Sequence, residues 1–201
     1  MLTILSIAIL IVSVILHEVS HGYMADFLGD PTARLSGRLT LNPIKHIDPM
    51  GSIIVPFITS LAGFTFGWAK PVPYNPYNLK NKRTGEFLIA AAGPASNLLI
   101  ALIFGTVLRF TVTDAASITP FITIVSYIVI INIVLAVFNL IPLPPLDGSK
   151  LLFSILPAQY GRVRYFLESY ESIFALIVVI FLWQFVSPVV PYIFQLFTGL
   201  R

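Results

Sequence analysis

The 201-residue chain contains no cysteine, which excludes disulfides, thiolate nucleophiles and cysteine metal ligands together. Charge is scarce as well: 10% of the residues are Asp, Glu, Lys or Arg, against about 25% in a soluble domain. Histidine occurs only three times. A bound metal would therefore depend on these few imidazoles and on carboxylates. What fills the chain instead is apolar: 57% of residues are hydrophobic and the mean hydropathy is +0.90. That composition belongs to an integral membrane protein, with the lipid bilayer as its surroundings. The net charge of +3 comes from Lys and Arg spread over several short connections, so no nucleic-acid partner is expected.

The N-terminal run "MLTILSIAIL" has neither the basic n-region nor the small-residue cleavage site of a secretory signal, and it reads as a first membrane segment. Apolar segments run roughly over 3–28, 51–66, 86–110, 118–141 and 171–200. Four reach the approximately 20 residues that a spanning helix needs. Segment 51–66 does not: at about 1.5 Å per residue it extends about 24 Å, short of a hydrocarbon core of about 30 Å, and Pro56 interrupts it.

Ten of the twelve Lys and Arg lie in three connections: Arg34, Arg38 and Lys45; Lys70, Lys80, Lys82 and Arg83; Lys150, Arg162 and Arg164. The connection 111–117 has none, so the positive-inside rule turns it outward and the three basic connections to the cytoplasm, as in a multi-pass protein of the cell membrane. Segment 51–66, with both flanks cytoplasmic, is expected to enter the membrane and return. The alternative is a short true span returning through "GWAKPVPYNP". "ARLSGRLTL" alternates Leu35, Leu39 and Leu41 with Ser36, Arg38 and Thr40, a strand periodicity, and "KPVPY" is compatible with an edge strand. The expected architecture is an all-α polytopic helical bundle with a re-entrant segment and short interfacial strands at 34–41 and 70–74. It forms one domain over 1–201, with a core of about 1–157 and a C-terminal membrane segment of about 171–200 that is either one kinked span or two segments.

Against this background "SVILHEVSHGYMADF" stands out, because three ionisable groups arrive together after sixteen residues with no charge. Ionisable groups cost several kcal/mol in lipid and are rare there unless they serve a purpose. His17 and His21 are four apart, on one face of a helix, where they can grip one ion, and Glu18 lies a residue further round. In this H-E-x-x-H arrangement the imidazoles hold the metal, while the carboxylate takes a proton from the attacking water and delivers it to the leaving amine. The metzincin continuation is absent, since Met24 and Phe27 stand where Gly and His would be needed. A third ligand must come from elsewhere. "NLIPLPPLDGSK" presents Asp147 after an uncharged run, although Asp-Gly is also a common turn pair. His46 is a rival imidazole, but its loop "NPIKHIDPMG", with Lys45 and Asp48 beside it, is expected to lie near water.

"HEVSH" in a first span, "AAGPASN" opening a later one and "NLIPLPPLDG" closing another together resemble the site-2 protease family of intramembrane zinc metalloproteases. The resemblance runs from residue 17 to 148. It implies one zinc ion held by His17, His21 and Asp147, Glu18 as catalytic base, and a membrane-protein substrate cut in or near its transmembrane segment. It further implies roles near the substrate for Asn97 and Asn139, whose other reading is hydrogen bonding between helices. The short connection 111–117 has no room for the PDZ module of many relatives, and a minimal form without PDZ or CBS domain is expected. A helical substrate must unwind before attack, and β-augmentation on an exposed edge at 34–41 or 70–74 is the expected means. Two other classes share part of the pattern. A membrane metal transporter would need a polar path across the bilayer, and a catalytically silent relative that binds membrane segments would usually lack Glu or a ligand.

Overall fold

The computed structural model describes residues 2–48, 69–111, 119–170 and 187–200, together with Met50 and Ile54. The expected re-entrant segment 51–66, apart from Ile54, lies outside the described residues, as do 112–117 and the first part of the last apolar run, 171–186.

An apolar run with no proline, and no glycine before Gly22, forms the 26-residue helix α1 (Leu2–Phe27). It ends in a Schellman motif: Asp30 N–H donates to the Ala25 carbonyl (2.9 Å) and Gly29 N–H to that of Asp26 (3.1 Å). Gly29 has φ +102°, a conformation that a side chain would strain. A single turn, α2 (Thr32–Leu35), follows and stops the same way, with Gly37 at φ +65° and Arg38 N–H on the Ala33 carbonyl (3.0 Å).

This corrects the strand expected over 34–41. Asp30 Oδ1 accepts from Thr32 N–H and starts a helical turn, and the left-handed Gly37 then reverses the chain. The alternation is inverted in space: Leu35 and Leu41 are exposed while Arg38 is buried. Nor is there a strand at 70–74, and none occurs among the described residues. Pro71 and Pro73 have no N–H. Lys70 N–H goes to the His46 carbonyl (2.9 Å), Val72 N–H to Glu18 (3.1 Å) and Asn75 N–H to Asp30 (2.6 Å). Neither stretch therefore presents the row of unpaired donors that β-augmentation requires.

α3 (Lys82–Thr111) begins after Asn81, whose Oδ1 accepts from Thr84 N–H (3.1 Å). α4 (Pro120–Asn139) begins with Thr119 accepting from Ile122 N–H (3.2 Å) and proline at its first position. Pro142, Pro144 and Pro145 forbid its continuation, and the chain re-enters helix at α5 (Asp147–Ile155). The Arg83 guanidinium donates to the Ser154, Ile155 and Leu156 carbonyls, which fastens the end of α5 to the start of α3. α6 (Gly161–Ser169) and α7 (Val189–Thr198) complete the described helices.

α1, α3 and α4 are the three described helices long and apolar enough to cross a membrane. α3 lies at the centre, packed against α1, α4, α5 and α7. Ala101 and Leu108 of α3, Val125, Val129 and Ile133 of α4, and Val190 of α7 form the apolar core. A second cluster joins Ala25 at the end of α1 to Leu79 and Ile89, so the C-terminal end of α1 meets the N-terminal end of α3. The alternation of directions brings the chain after α4 to the same end.

Candidate metal centre

His21 and His17 stand six and ten residues before the end of α1, roughly 9 and 15 Å inside the helix at about 1.5 Å per residue. Asp147 opens α5, after the prolines have ended α4. These three meet. His17 Nε2 lies 3.0 Å from Asp147 Oδ2, His21 Nε2 lies 3.1 Å from the same oxygen, and the two Nε2 atoms are 3.1 Å apart. Their side chains are 7%, 11% and 9% exposed for His17, His21 and Asp147, so the cluster is shielded from its surroundings.

The hydrogen bonds on the far side of each ring decide what the cluster can hold. His17 Nδ1 is 2.6 Å from Asn97 Oδ1, and His21 Nδ1 is 2.6 Å from the Ile89 carbonyl. Both partners are acceptors, so each Nδ1 carries the proton and each neutral ring turns an Nε2 lone pair to the common point. Asp147 brings a carboxylate oxygen to the same point, with Lys150 Nζ 3.6 Å from its other oxygen. Two lone pairs and a carboxylate oxygen repel one another unless a cation lies among them. Tetrahedral ligands about 2.0–2.1 Å from a zinc ion are about 3.3 Å apart, close to the separations found. His17, His21 and Asp147 thus form a group that could hold a metal ion. Donors of imidazole and carboxylate type, without sulfur, suit zinc among the divalent metals.

Glu18 is half-buried beside this cluster, and its Oε2 accepts from Val72 N–H (3.1 Å). Asn97 is fully buried and faces His17. The packing of α3 against α1 turns this amide, expected near the substrate, toward His17. Asn139 is half-buried at the end of α4, with its Nδ2 on the Leu135 carbonyl (2.9 Å). His46 lies apart from the metal cluster. It is 3% exposed instead of near water, because its Nε2 donates to the Thr40 carbonyl (2.8 Å) within the folded loop.

Sequence reasoning missed two contributors. Val72 became visible only through tertiary contact, although "KPVPY" left it the one donor between two prolines. Asn132, fully buried on α4, had a signal: an amide in the interior of a span without charge.

An α-helical membrane bundle carrying a His, His, Asp metal cluster beside a glutamate defines the class, and comparison with known proteins supplies the family. The family model described as "Peptidase family M50" matches residues 110–185, which include α4 and Asp147. "Putative zinc metalloprotease YwhC" of Bacillus subtilis (strain 168) is 40% identical over 189 residues, covering 92% of this chain and 81% of that protein. "Putative zinc metalloprotease Rip2" of Mycolicibacterium smegmatis is 33% identical over 147 residues, covering 72% of this chain and 54% of its own. "Zinc metalloprotease MJ0392" of Methanocaldococcus jannaschii is 27% identical over 156 residues, covering 78% of this chain and 35% of its own. No solved structure matches. The chain belongs to peptidase family M50, the site-2 protease family.

Proposed function

We propose that this protein is a zinc-dependent endopeptidase of the cell membrane that hydrolyses peptide bonds in or near the transmembrane segments of other membrane proteins. The observation that carries the reading is the convergence of His17 Nε2, His21 Nε2 and Asp147 Oδ2 within 3.1 Å of one another, with both histidines on a helix apolar enough to span a bilayer. Family membership and the names of the relatives support it.

His17, His21 and Asp147 would hold the ion, and a zinc bound there would supply Lewis-acid chemistry to the scissile carbonyl and the attacking water. Glu18 moves the proton: the Val72 N–H on Oε2 fixes the rotation of the carboxylate, and the other oxygen takes the proton and returns it to the leaving amine. Burial of the cluster keeps bulk water from competing. Asn139, at the α4 terminus eight residues before Asp147, is the residue assigned to the substrate side.

The test is a comparison of membrane proteomes from cells carrying the wild type or Glu18→Gln, followed by incubation of the purified zinc-loaded protein with the affected transmembrane segments. Fragments that depend on Glu18 are expected. Identical proteomes together with no cleavage of any transmembrane peptide would overturn the assignment.

A further inference from the structure

The metal-binding tautomer of His17 is fixed at a distance. His17 Nδ1 meets Asn97 Oδ1 at 2.6 Å. An amide can face a neighbour with either end. Were Asn97 reversed, its NH₂ would meet Nδ1, the proton would have to move to Nε2, and the lone pair needed for a metal would be lost. What prevents reversal is Asn132 on α4, whose Oδ1 accepts from Asn97 Nδ2 (2.7 Å). Asn132 could itself reverse, except that its Nδ2 donates to the Ile128 carbonyl (2.9 Å) and to Ser13 Oγ (2.9 Å). A backbone carbonyl accepts and cannot donate, so the direction of every bond in the series follows from it. Asn97 Nδ2 also points to the Ser13 carbonyl, at 3.4 Å a weaker anchor. Asn97, Asn132 and Ser13 are 0%, 0% and 4% exposed, so no water competes for these groups. His21 needs no such series, because its Nδ1 is already on a backbone carbonyl.

We infer that Asn132 is a positioning residue of the metal centre: acting through Asn97, it holds His17 in the Nδ1–H form that turns Nε2 toward the ion. The inference rests on the zinc reading above. Outer partners of metal-bound histidines typically contribute about 10–100-fold to metal affinity.

The experiment uses the full chain purified in detergent, with zinc affinity measured by chelator competition and folding by helicity and thermal unfolding. Asn132→Leu is expected to weaken zinc at least tenfold, and Asn97→Leu likewise. The double variant should be no weaker than Asn97→Leu alone, since one acts through the other. Asn132→Asp, kept neutral by burial, can still donate to the Ile128 carbonyl and turn an acceptor to Asn97, and should bind within about threefold of the wild type, an effect of less than about 1 kcal/mol. In metal-free protein with 15N-labelled histidine, His17, assigned from a His17→Gln sample, should show the Nδ1–H form in the wild type and a mixture in Asn132→Leu. A folded Asn132→Leu with wild-type zinc affinity and tautomer overturns the inference, as do additive losses in the double variant or an Asp variant as weak as Leu. Absence of zinc binding by the wild type would instead defeat the proposed function, while the tautomer measurement would still test Asn132.

Discussion

A methyl group placed on Gly93 would lie 2.6 Å from Cε1 of His17 and overlap the His21 ring as well. Both imidazoles thus stand directly against the α3 backbone, and the metal-binding edge of the cluster abuts a residue with no side chain. Alanine favours a helix interior over glycine by about 1 kcal/mol. Gly93→Ala is nevertheless expected to weaken zinc at least tenfold, comparable to losing an outer partner, because either the rings rotate or α1 and α3 separate. Chelator competition alongside thermal unfolding of the metal-free form checks this. Wild-type zinc affinity in Gly93→Ala would mean that the rings are free to move aside.

Glu18→Gln should keep its zinc and lose cleavage, since Glu18 is not among the three converging ligands. Amide for carboxylate preserves size and removes the proton acceptor, and general-base catalysis contributes about 10²–10⁴-fold. Metal analysis and a transmembrane-peptide assay on one preparation separate binding from chemistry. Equal activity of mutant and wild type would remove Glu18 from the mechanism.

Asp147→Ala is expected to bring zinc well below one ion per chain, because it removes the anion that both histidines share. His46→Ala should retain zinc. It should also destabilise the fold by about 1 kcal/mol, through the lost hydrogen bond to the half-buried Thr40 carbonyl. Elemental analysis and thermal melts of the two variants give the contrast. A zinc-free His46→Ala that is folded would be incompatible with the site described.

The helices and the pairing of His17 with His21 were legible in the sequence because each rests on a local regularity. Apolar length fixes a span, and spacing of four places His17 and His21 on one face. Asp147 is tied to them by motif order and by ending an uncharged run on the cytoplasmic side, while its actual meeting with α1 depends on how α4 and α5 turn. The interfacial strands failed at Gly37, where a left-handed residue after one helical turn overrides alternation. The environment of His46 failed for a related reason: a loop rich in proline and charge reads as solvent-exposed, yet Thr40 and the backbone around it enclose the ring. Asn97 was marked by its motif, but which neighbour it served depended on the packing of three helices.

Asp30 ties the end of α1 to the chain before α3, accepting from Thr32 N–H (3.2 Å), Asn75 N–H (2.6 Å) and Asn78 Nδ2 (2.7 Å). Burial pushes its carboxyl up, but the bonds from Thr32, Asn75 and Asn78 outweigh this and hold it below its ordinary value. A depressed folded pKa means that the stabilisation is complete above the unfolded value of about 3.9 and is lost as pH falls through the folded one. Asp30→Asn is therefore expected to cost about 1.5–3 kcal/mol at neutral pH. Its melting temperature should converge on that of the wild type as pH is lowered from 7 toward about 3. A constant difference across that range would show that the charge of Asp30 is not what stabilises the joint.

Arg38 bears on the chemistry although it touches no ligand. Its buried guanidinium donates to the carbonyls of Lys45, Lys70 (2.8 Å) and Pro71 (3.1 Å). The next residue, Val72, gives its N–H to Glu18 Oε2 (3.1 Å) and lays its side chain against Gly22 of α1. Arg38 thus clamps the Lys70–Pro71 peptide and the Pro71–Val72 peptide, whose own N–H orients the proposed base. Arg38→Ala leaves those carbonyls without donors, at about 1–3 kcal/mol for each that stays buried, and lets the 70–72 backbone drift from Glu18. The expected result is a kcat lowered at least about tenfold, equivalent to about 1.4 kcal/mol of barrier, with zinc content unchanged and KM for a transmembrane peptide altered less. Lysine should rescue only in part, because an ammonium lacks the planar fork that reaches several carbonyls at once. Steady-state kinetics on Arg38→Ala and Arg38→Lys, each with measured zinc content and thermal stability, distinguish the effect from general unfolding. If a folded, zinc-loaded Arg38→Ala turned over like the wild type, the Val72 contact would not be what orients Glu18.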